Sequence, residues 1–275
     1  MRQEVLGVIA LLTTALILFS IHSSPNHQQQ EYLAYLQKFN KPVPNGNEFT
    51  YRSKIFAKAV AEIELHNADP SQTYQMGINQ FTDLTHEEFV STYLGEFDDA
   101  NVNFKPEEVN AGFNGDIDWR KQGIITSVKN QGQCGSCWAF AATAVHESYQ
   151  IQTKHEPNTI NLSEQQLVDC SGSYGNNGCN GGLASSGQKY IRDKGQTDQE
   201  SYPYTAKTES CKINSGKWTI SNVQMETGCS SLENRLQSGA SAVRVDASNW
   251  SRYRTGVFSN CDTHTNHAVL CVGTN

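Results

Sequence analysis

All eight cysteines of this 275-residue chain lie at or beyond position 134: Cys134, Cys137, Cys170, Cys179, Cys211, Cys229, Cys261 and Cys271. A front stretch without thiols and a back stretch rich in them must be held together differently, so the distribution marks a domain boundary. What the cysteines do depends on the compartment. Residues 5–21 are nearly all apolar, follow Arg2, and give way to Ser23, Ser24 and Pro25. A membrane-spanning helix takes about 20 apolar residues; this run is a little short and no stop-transfer pattern follows it. It reads as a signal peptide over 1–23, cut near residues 20–24 and leaving no stable membrane anchor, with an uncleaved signal anchor as the alternative. The secretory route is oxidising, which makes disulfides the first expectation. Against 21 Lys and Arg stand 28 Asp and Glu, a formal net charge of −7, so nothing here looks like a footprint for nucleic acid or anionic lipid.

The front half is polar and helical. Tyr32, Tyr35, Leu36 and Phe39 recur at helical spacing before Lys41-Pro42-Val43-Pro44 stops the helix. In a longer run, Glu48, Arg52, Phe56, Ala59, Ile63 and Asn67 fall on one stripe, ended by Asp69-Pro70. Gly77, Asn79, Phe81 and Asp83 alternate with Met76, Ile78 and Gln80, the periodicity of a strand. Thr85 and Glu88 form a capping box for a short helix ending near Gly95. Residues 96–115 are acidic, Asn-rich and aperiodic, as in an exposed linker that proteases nick.

The back half opens at Asp118-Trp119-Arg120. Residues 137–152 are Ala-rich and helical, Ser163 with Gln166 caps a second helix, and residues 182–194 form a third that Gly195 stops. Beyond 216 the pattern turns to β, with strands expected at 218–223, 242–245, 257–258 and 268–272. Helices first and strands afterwards predict an α+β arrangement of two subdomains.

Cys137 is the sharpest chemical candidate. It follows Gly135-Ser136 at the start of a predicted helix, where unpaired N–H groups and the positive dipole end favour a thiolate. An imidazole nearby would complete its activation. His264 sits among turn residues, whereas His267 opens an apolar strand and has the more rigid mount. Cys134-x-x-Cys137 is also compatible with a structural half-cystine, a redox pair or half a zinc site. Cys170 and Cys179 are spaced too widely to complete a zinc site, and the redox reading lacks a βαβ context.

Gln131-Gly132-Gln133-Cys134-Gly135-Ser136-Cys137-Trp138-Ala139-Phe140 resembles the active-site segment of papain-like cysteine peptidases of the cathepsin L type. So do Asp118-Trp119-Arg120, Leu162-Ser163-Glu164-Gln165, Gly178-Cys179-Asn180-Gly181-Gly182, Tyr202-Pro203-Tyr204 and Asn266-His267-Ala268-Val269. The stripe over 48–67 is similar to the ERFNIN motif of that family's inhibitory propeptide, with Ala59 in place of Asn. Gly77, Asn79, Phe81 and Asp83 match its GNFD motif. The resemblance implies a helical propeptide over 24–112 and a papain-like peptidase over 113–275, with a helical left subdomain and a β-barrel-like right one. Cys137 would be nucleophile, His267 general base and then acid, and Gln131 an oxyanion donor beside the Cys137 N–H. Gly135, Gly181 and Gly182 would meet the substrate backbone; Leu183, Ala184, Arg244 and Thr265 would line the pocket for the side chain two residues before the scissile bond. Arg244 stands where the family usually has a small apolar residue. A buried guanidinium needs a partner, so that pocket is expected to take something other than a plain hydrophobe, unless Arg244 turns out to solvent. Disulfides Cys134–Cys179 and Cys170–Cys211 follow from the same resemblance. Cys271 reads as a buried thiol, and Cys229 has no assignment. Asn161-Leu162-Ser163 and Asn249-Trp250-Ser251 are glycosylation sequons.

The family's third catalytic residue, an Asn in an Asn-Ser-Trp-Gly motif, comes some tens of residues after the His, and here eight residues follow His267. The expectation is therefore a C-terminally incomplete domain that lacks its last strands, with Cys261 left without its family partner. The expected function is a secretory zymogen of a cysteine endopeptidase, monomeric and without metal or cofactor, acting on proteins and peptides in a lysosome, acidic vacuole or the exterior. Its partner is its own propeptide. The alternatives are a catalytically inactive truncated homologue acting as a propeptide-type inhibitor or binding module, or a non-functional fragment, and a thiol oxidoreductase using Cys134 and Cys137.

Overall fold

The structure, a computed structural model, describes residues 25–95 and 116–274. The expected signal peptide and the whole of the acidic linker lie outside the described residues. Among those described, no helix is long and apolar enough to cross a membrane. The chain forms two compact units, one of the residues up to Phe89 with Asn249–Asn260, the other of Val90–Ser248 with Cys261–Asn275.

The first unit is built on helices α1 (Pro25–Lys38) and α2 (Gly46–Ala68). Ser53, Phe56, Ala59 and Ile63 are the buried residues of α2. Phe56 meets Tyr35 with ring centroids 4.7 Å apart, and Tyr32, Tyr35, Leu36 and Phe56 make the core. The stripe's polar members work at its ends. Arg52 donates to Glu48 at 2.6 Å and grips both oxygens of Glu88 at 2.5 and 2.8 Å. The Asn67 carboxamide exchanges hydrogen bonds with the Met76 backbone, 2.9 and 3.0 Å. The helix stops at Asp69, extended at φ −83°, ψ 112°, because the residue before a proline is pushed out of the α region.

Strand β1 (Tyr74–Met76) pairs antiparallel with β4 (Tyr253–Gly256), with an irregularity between Gln75 and Met76. The strand expected through Gly77–Asp83 is not there: β1 ends at Met76 and turns follow. Local side-chain bonds displace the ladder. The Phe81 N–H donates to Asn79 Oδ1 (2.9 Å) and the Asn79 N–H to Thr82 Oγ1 (2.8 Å), the way Asn and Thr compete for backbone. The turn delivers Asp83, 4% exposed, to the hydroxyls of Tyr32 (3.1 Å) and Tyr35 (3.0 Å) and to the Lys41 ammonium. The capping box forms as read, Glu88 N–H to Thr85 Oγ1 at 3.1 Å and Thr85 N–H to Glu88 Oε2 at 2.8 Å, at the start of α3 (His86–Tyr93). The strand expected at 257–258 lies four residues earlier, as β4. Gly256 ends it at φ +101°, and Phe258 packs its ring on Tyr74 at 4.7 Å.

The second unit is organised by α4 (Cys137–Lys154), flanked by α5 (Glu164–Cys170) and α6 (Ala184–Lys194). Trp138, Ala139, Ala142, Leu167, Val168, Tyr190 and Ile191 form its core. Trp138 is fully buried and donates its indole N–H to the Gly178 carbonyl at 3.1 Å; losing such a ring costs about 3–5 kcal/mol. Ser163 caps α5 by accepting the Gln166 N–H at 3.1 Å. Disulfides join Cys134 to Cys179 and Cys170 to Cys211.

The β part of this unit is two ribbons, β3 (Ser241–Val245) with β5 (His267–Cys271), and β2 (Ile117–Asp118) with β6 (Gly273–Thr274). Residues 218–223 do not form the expected strand. Trp218 alone bridges to Gln196, and the Thr219 carbonyl is taken by the Gln150 side chain at 2.7 Å. The expectation of strands beyond 216 also overlooked a helix, α7 (Cys229–Leu236), with Leu236 buried; its signal was Leu232 and Leu236 at a spacing of four after Gly228. Cys271 is half-buried rather than buried, its sulfur 3.6 Å from the Gly273 carbonyl.

Candidate active site

Cys137 is the first residue of α4, and the backbone N–H groups of Ala268, Trp138 and Cys137 itself favour its thiolate. Ala141 and Ala268 pack against it, with Ala184 and Ala242 behind. Ala268 follows His267 at the start of β5, so the ribbon that carries the imidazole closes directly on the helix that carries the thiol. His264, the competing histidine, is exposed in the loop before it. Asn266 sets the start of this strand. It accepts the Ala247 N–H on its side-chain oxygen (2.8 Å) and donates to Ser248 Oγ (2.7 Å).

Opposing effects act on the sulfur. Burial raises the Cys137 thiol above its ordinary value despite the three N–H groups that pull the other way. Burial likewise lowers His267 to about 4. Helix N-termini stabilise a thiolate by a limited amount, and burial works against it. Both shifts favour the neutral forms, thiol and imidazole, while the site is closed.

The opposite rim is the loop carrying Gln131. Its side-chain amide donates to the Cys134 carbonyl at 2.9 Å and to the Tyr93 carbonyl at 3.1 Å. Two residues on, the Gly95 N–H donates to the Asn266 carbonyl at 2.9 Å. Residues 93–95 thus run from the glutamine rim to the histidine rim. Sequence reading passed over the brace behind this loop: Tyr204 donates to the Gln131 carbonyl (2.7 Å) and lies 2.6 Å from Ser136 Oγ. Its signal was the Tyr202-Pro203-Tyr204 motif.

The glycines earn their places by close approach. A Cβ on Gly135 would fall on the Cys179 carbonyl oxygen, which accepts the Gly135 N–H at 2.9 Å. One on Gly182 would come within 2.9 Å of the Trp138 ring. Gly181 lies at φ +111°, the left-handed region that favours glycine. Leu183 is exposed, Ala184 joins the packing behind Cys137, and Arg244 and Thr265 are both half-buried. Because Cys134 is spent on Cys179, Cys134 and Cys137 do not form the redox pair their spacing allowed.

Deeper in the helical half, Lys129 Nζ sits 2.7 Å from both Glu147 and Glu164. Burial pushes Glu164 up to about 7, with the Lys129 charge opposing and Glu147 adding to the rise. His146, fully buried on α4 and 2.7 Å from Gln196, is lowered by burial to about 4.

The papain family cysteine protease domain matches residues 113–275, and the cathepsin propeptide inhibitor domain (I29) matches residues 32–89. The chain belongs to the papain family. Cathepsin L 2 of Paramecium tetraurelia is 39% identical over 250 residues, covering 88% of this chain and 78% of its own. Cysteine proteinase 6 of Dictyostelium discoideum is 40% identical over 242 residues, 83% of this chain, which spans 56% of that protein's length. Among solved structures, digestive procathepsin L 3 of Tenebrio molitor larval midgut superposes with a TM-score of 0.76 at 33% identity, covering 90% of this chain and 84% of that one. A recombinant stem bromelain precursor gives 0.74 at 31%, covering 90% and 82%. This papain-family chain is a cysteine endopeptidase made as a zymogen, with its own inhibitory propeptide in front of the domain that cuts protein substrates.

Proposed function

We propose that Cys137 is the nucleophile and His267 the base that takes its proton, the same imidazole then protonating the leaving amine as an acyl-enzyme forms. Gln131 Nε2 and the Cys137 N–H stabilise the oxyanion of the tetrahedral intermediate. Gly135, Gly181 and Gly182 leave the room a substrate backbone needs, and Leu183, Ala184, Arg244 and Thr265 line the pocket beside it. The observation that carries this reading is the Tyr93 carbonyl on Gln131 Nε2: a peptide carbonyl already sits on the donor that the reacting carbonyl would use. In the zymogen the segment occupies the site and keeps thiol and imidazole neutral; once it leaves, water returns and the proton moves from sulfur to ring. The enzyme acts as a monomer along the secretory route, in a lysosome, acidic vacuole or the exterior, where acid favours release.

An irreversible thiol-directed epoxide tests the assignment on acid-processed protein. It should label one cysteine, Cys137, in parallel with loss of peptidase activity. Gln131→Ala should keep the label but lower kcat by roughly 10²–10³. Full activity in a Cys137→Ala variant would overturn the reading.

A further inference from the structure

We propose that Asn161 carries an N-linked glycan and that its first sugar, an N-acetylhexosamine, is seated in the cavity beside it. The inference goes beyond the catalytic reading above and shares only its secretory route.

Asn161-Leu162-Ser163 is an acceptor sequon, and the fold leaves its asparagine at the surface while it uses the other two residues inside. Asn161 is exposed, and among the described residues its carboxamide forms no hydrogen bond. Leu162 and Ser163 are fully buried. The Ser163 hydroxyl donates to the Tyr202 carbonyl at 2.7 Å and accepts the Gln166 N–H at 3.1 Å. The hydroxyl that makes the sequon an acceptor is therefore taken once α5 is capped, so the sugar is added as the chain enters the secretory lumen, before this segment folds. Nδ2 of Asn161 attacks C1 of an oligosaccharide carried on a polyprenyl pyrophosphate. The C1–N bond forms, the C1–O bond to the pyrophosphate breaks, the amide gives up a proton, and the lipid pyrophosphate leaves. At the second sequon, Asn249 already donates its amide to the Asn260 carbonyl at 3.3 Å, and a sugar on that nitrogen would crowd a contact the fold makes.

The seat is an independent observation. Asn161 lines a cavity of about 200 Å³ whose walls include Asn130, Gln199, Phe140 and Tyr204. Pockets that enclose whole small molecules run to roughly 300–1,000 Å³; this one is on the scale of a single pyranose ring. Its lip is fixed. The Gln199 N–H donates to the Asn161 carbonyl at 2.9 Å, and Leu162 bridges to Asp198, so a sugar on Nδ2 starts at the wall rather than on a loose tether. The rings of Phe140 and Tyr204 stand perpendicular with centroids 5.0 Å apart, offering apolar surface to the C–H face of a sugar. The Asn130 and Gln199 carboxamides bring both donors and acceptors for its hydroxyl and acetamido groups. The charged residues at the cavity, Lys129 and Glu164, pair with each other at 2.7 Å, which suits a neutral polyhydroxylated occupant better than an ion.

The test expresses the full chain with its own leader in a glycosylating eukaryotic host. Peptide mass spectrometry, after an amidase that releases N-linked glycans, should find Asn161 converted to Asp in the secreted protein, and Asn161→Gln should remove one glycan's mass on a gel. A bare Asn161 in secreted protein would overturn the proposal and spare both the catalytic and the secretory readings. A chain retained in the cytosol would overturn this proposal and the secretory route together and leave the catalytic assignment untouched. The seat is read from the amidase itself. Release from Asn161 should be about tenfold or more slower on folded than on denatured protein, and Gln199→Ala, which removes one polar wall, should narrow that gap. Equal release from folded and denatured protein, or a gap that Gln199→Ala leaves unchanged, would mean a glycan hanging free in solvent and would overturn the seating.

Discussion

The propeptide unit and the peptidase unit both bury ionic groups, and they solve the problem in opposite ways. In the first, one carboxylate, Asp83, collects an ammonium and two tyrosine hydroxyls. Donors outnumber acceptors, and no disulfide ties the described residues of that unit. In the second, one ammonium, Lys129, is shared by two carboxylates. Glu147 also takes the Thr126 hydroxyl and the Leu162 N–H, each at 2.7 Å, which leaves Glu164 as the group that burial drives toward neutrality. Two disulfides brace the helices around it. The lesson is one of concentration against spread. At the buried charges, the first unit gathers its donors on one carboxylate, whereas the second shares one cation between two carboxylates beside two disulfides and a large apolar core.

The largest break of that symmetry should come from Asp83→Ala. Removing one member of a buried ion pair costs up to about 3–5 kcal/mol, and here the buried Tyr32 and Tyr35 hydroxyls lose their acceptor while Lys41 keeps the Gln80 carbonyl at 2.9 Å. The propeptide should become protease-sensitive at neutral pH, and the zymogen should mature without acid, both visible by gel time course. Maturation that still requires acid in this variant would show that Asp83 is not the hub. The disulfides come next. Replacing Cys170 and Cys211 by serine should lower the stability of the peptidase unit by about 2–4 kcal/mol, seen as a shift in denaturant midpoint, while the propeptide's protease resistance is unchanged.

How much of this was readable in advance divides along the same line. Helices whose apolar spacing agrees with their caps were legible to within a few residues, as Ser163 before α5 and Gly195 after α6 illustrate. So was the placement of Cys137 and His267 on elements that meet. The strand expected at 77–83 failed because Asn79 and Thr82 bind their own backbone, an outcome that alternation cannot signal. Residues 218–223 have strand composition but no neighbouring strand, and pairing depends on long-range partners that a local window never sees. The electrostatics of the site depend on more than the local sequence. A helix N-terminus is local and favours the thiolate, whereas the burial that works against it comes from packing with residues distant in sequence.

The smallest effect, and the sharpest on the contrast between the two ionic clusters, is the pH dependence of the peptidase unit. His146 and His267 are held near 4 in the folded chain against an ordinary 6.5. Between those values the unfolded chain binds more protons, so stability falls as pH drops from 6.5 toward 4. Glu164 has the opposite sign. Its folded value near 7 exceeds its ordinary 4.5, so over that window the folded chain binds more protons and stability falls as pH rises. The two slopes overlap and oppose, each at most about 1.4 kcal/mol per pH unit for each proton. Glu164→Gln removes one of them. Denaturant midpoints taken across pH 4.5 to 7.5 should show a shallow profile for the unmodified peptidase unit and a steeper loss on acidification for the variant. Superimposable profiles would mean that Lys129 neutralises both carboxylates equally, and the two buried clusters would then differ in number of charges but not in kind.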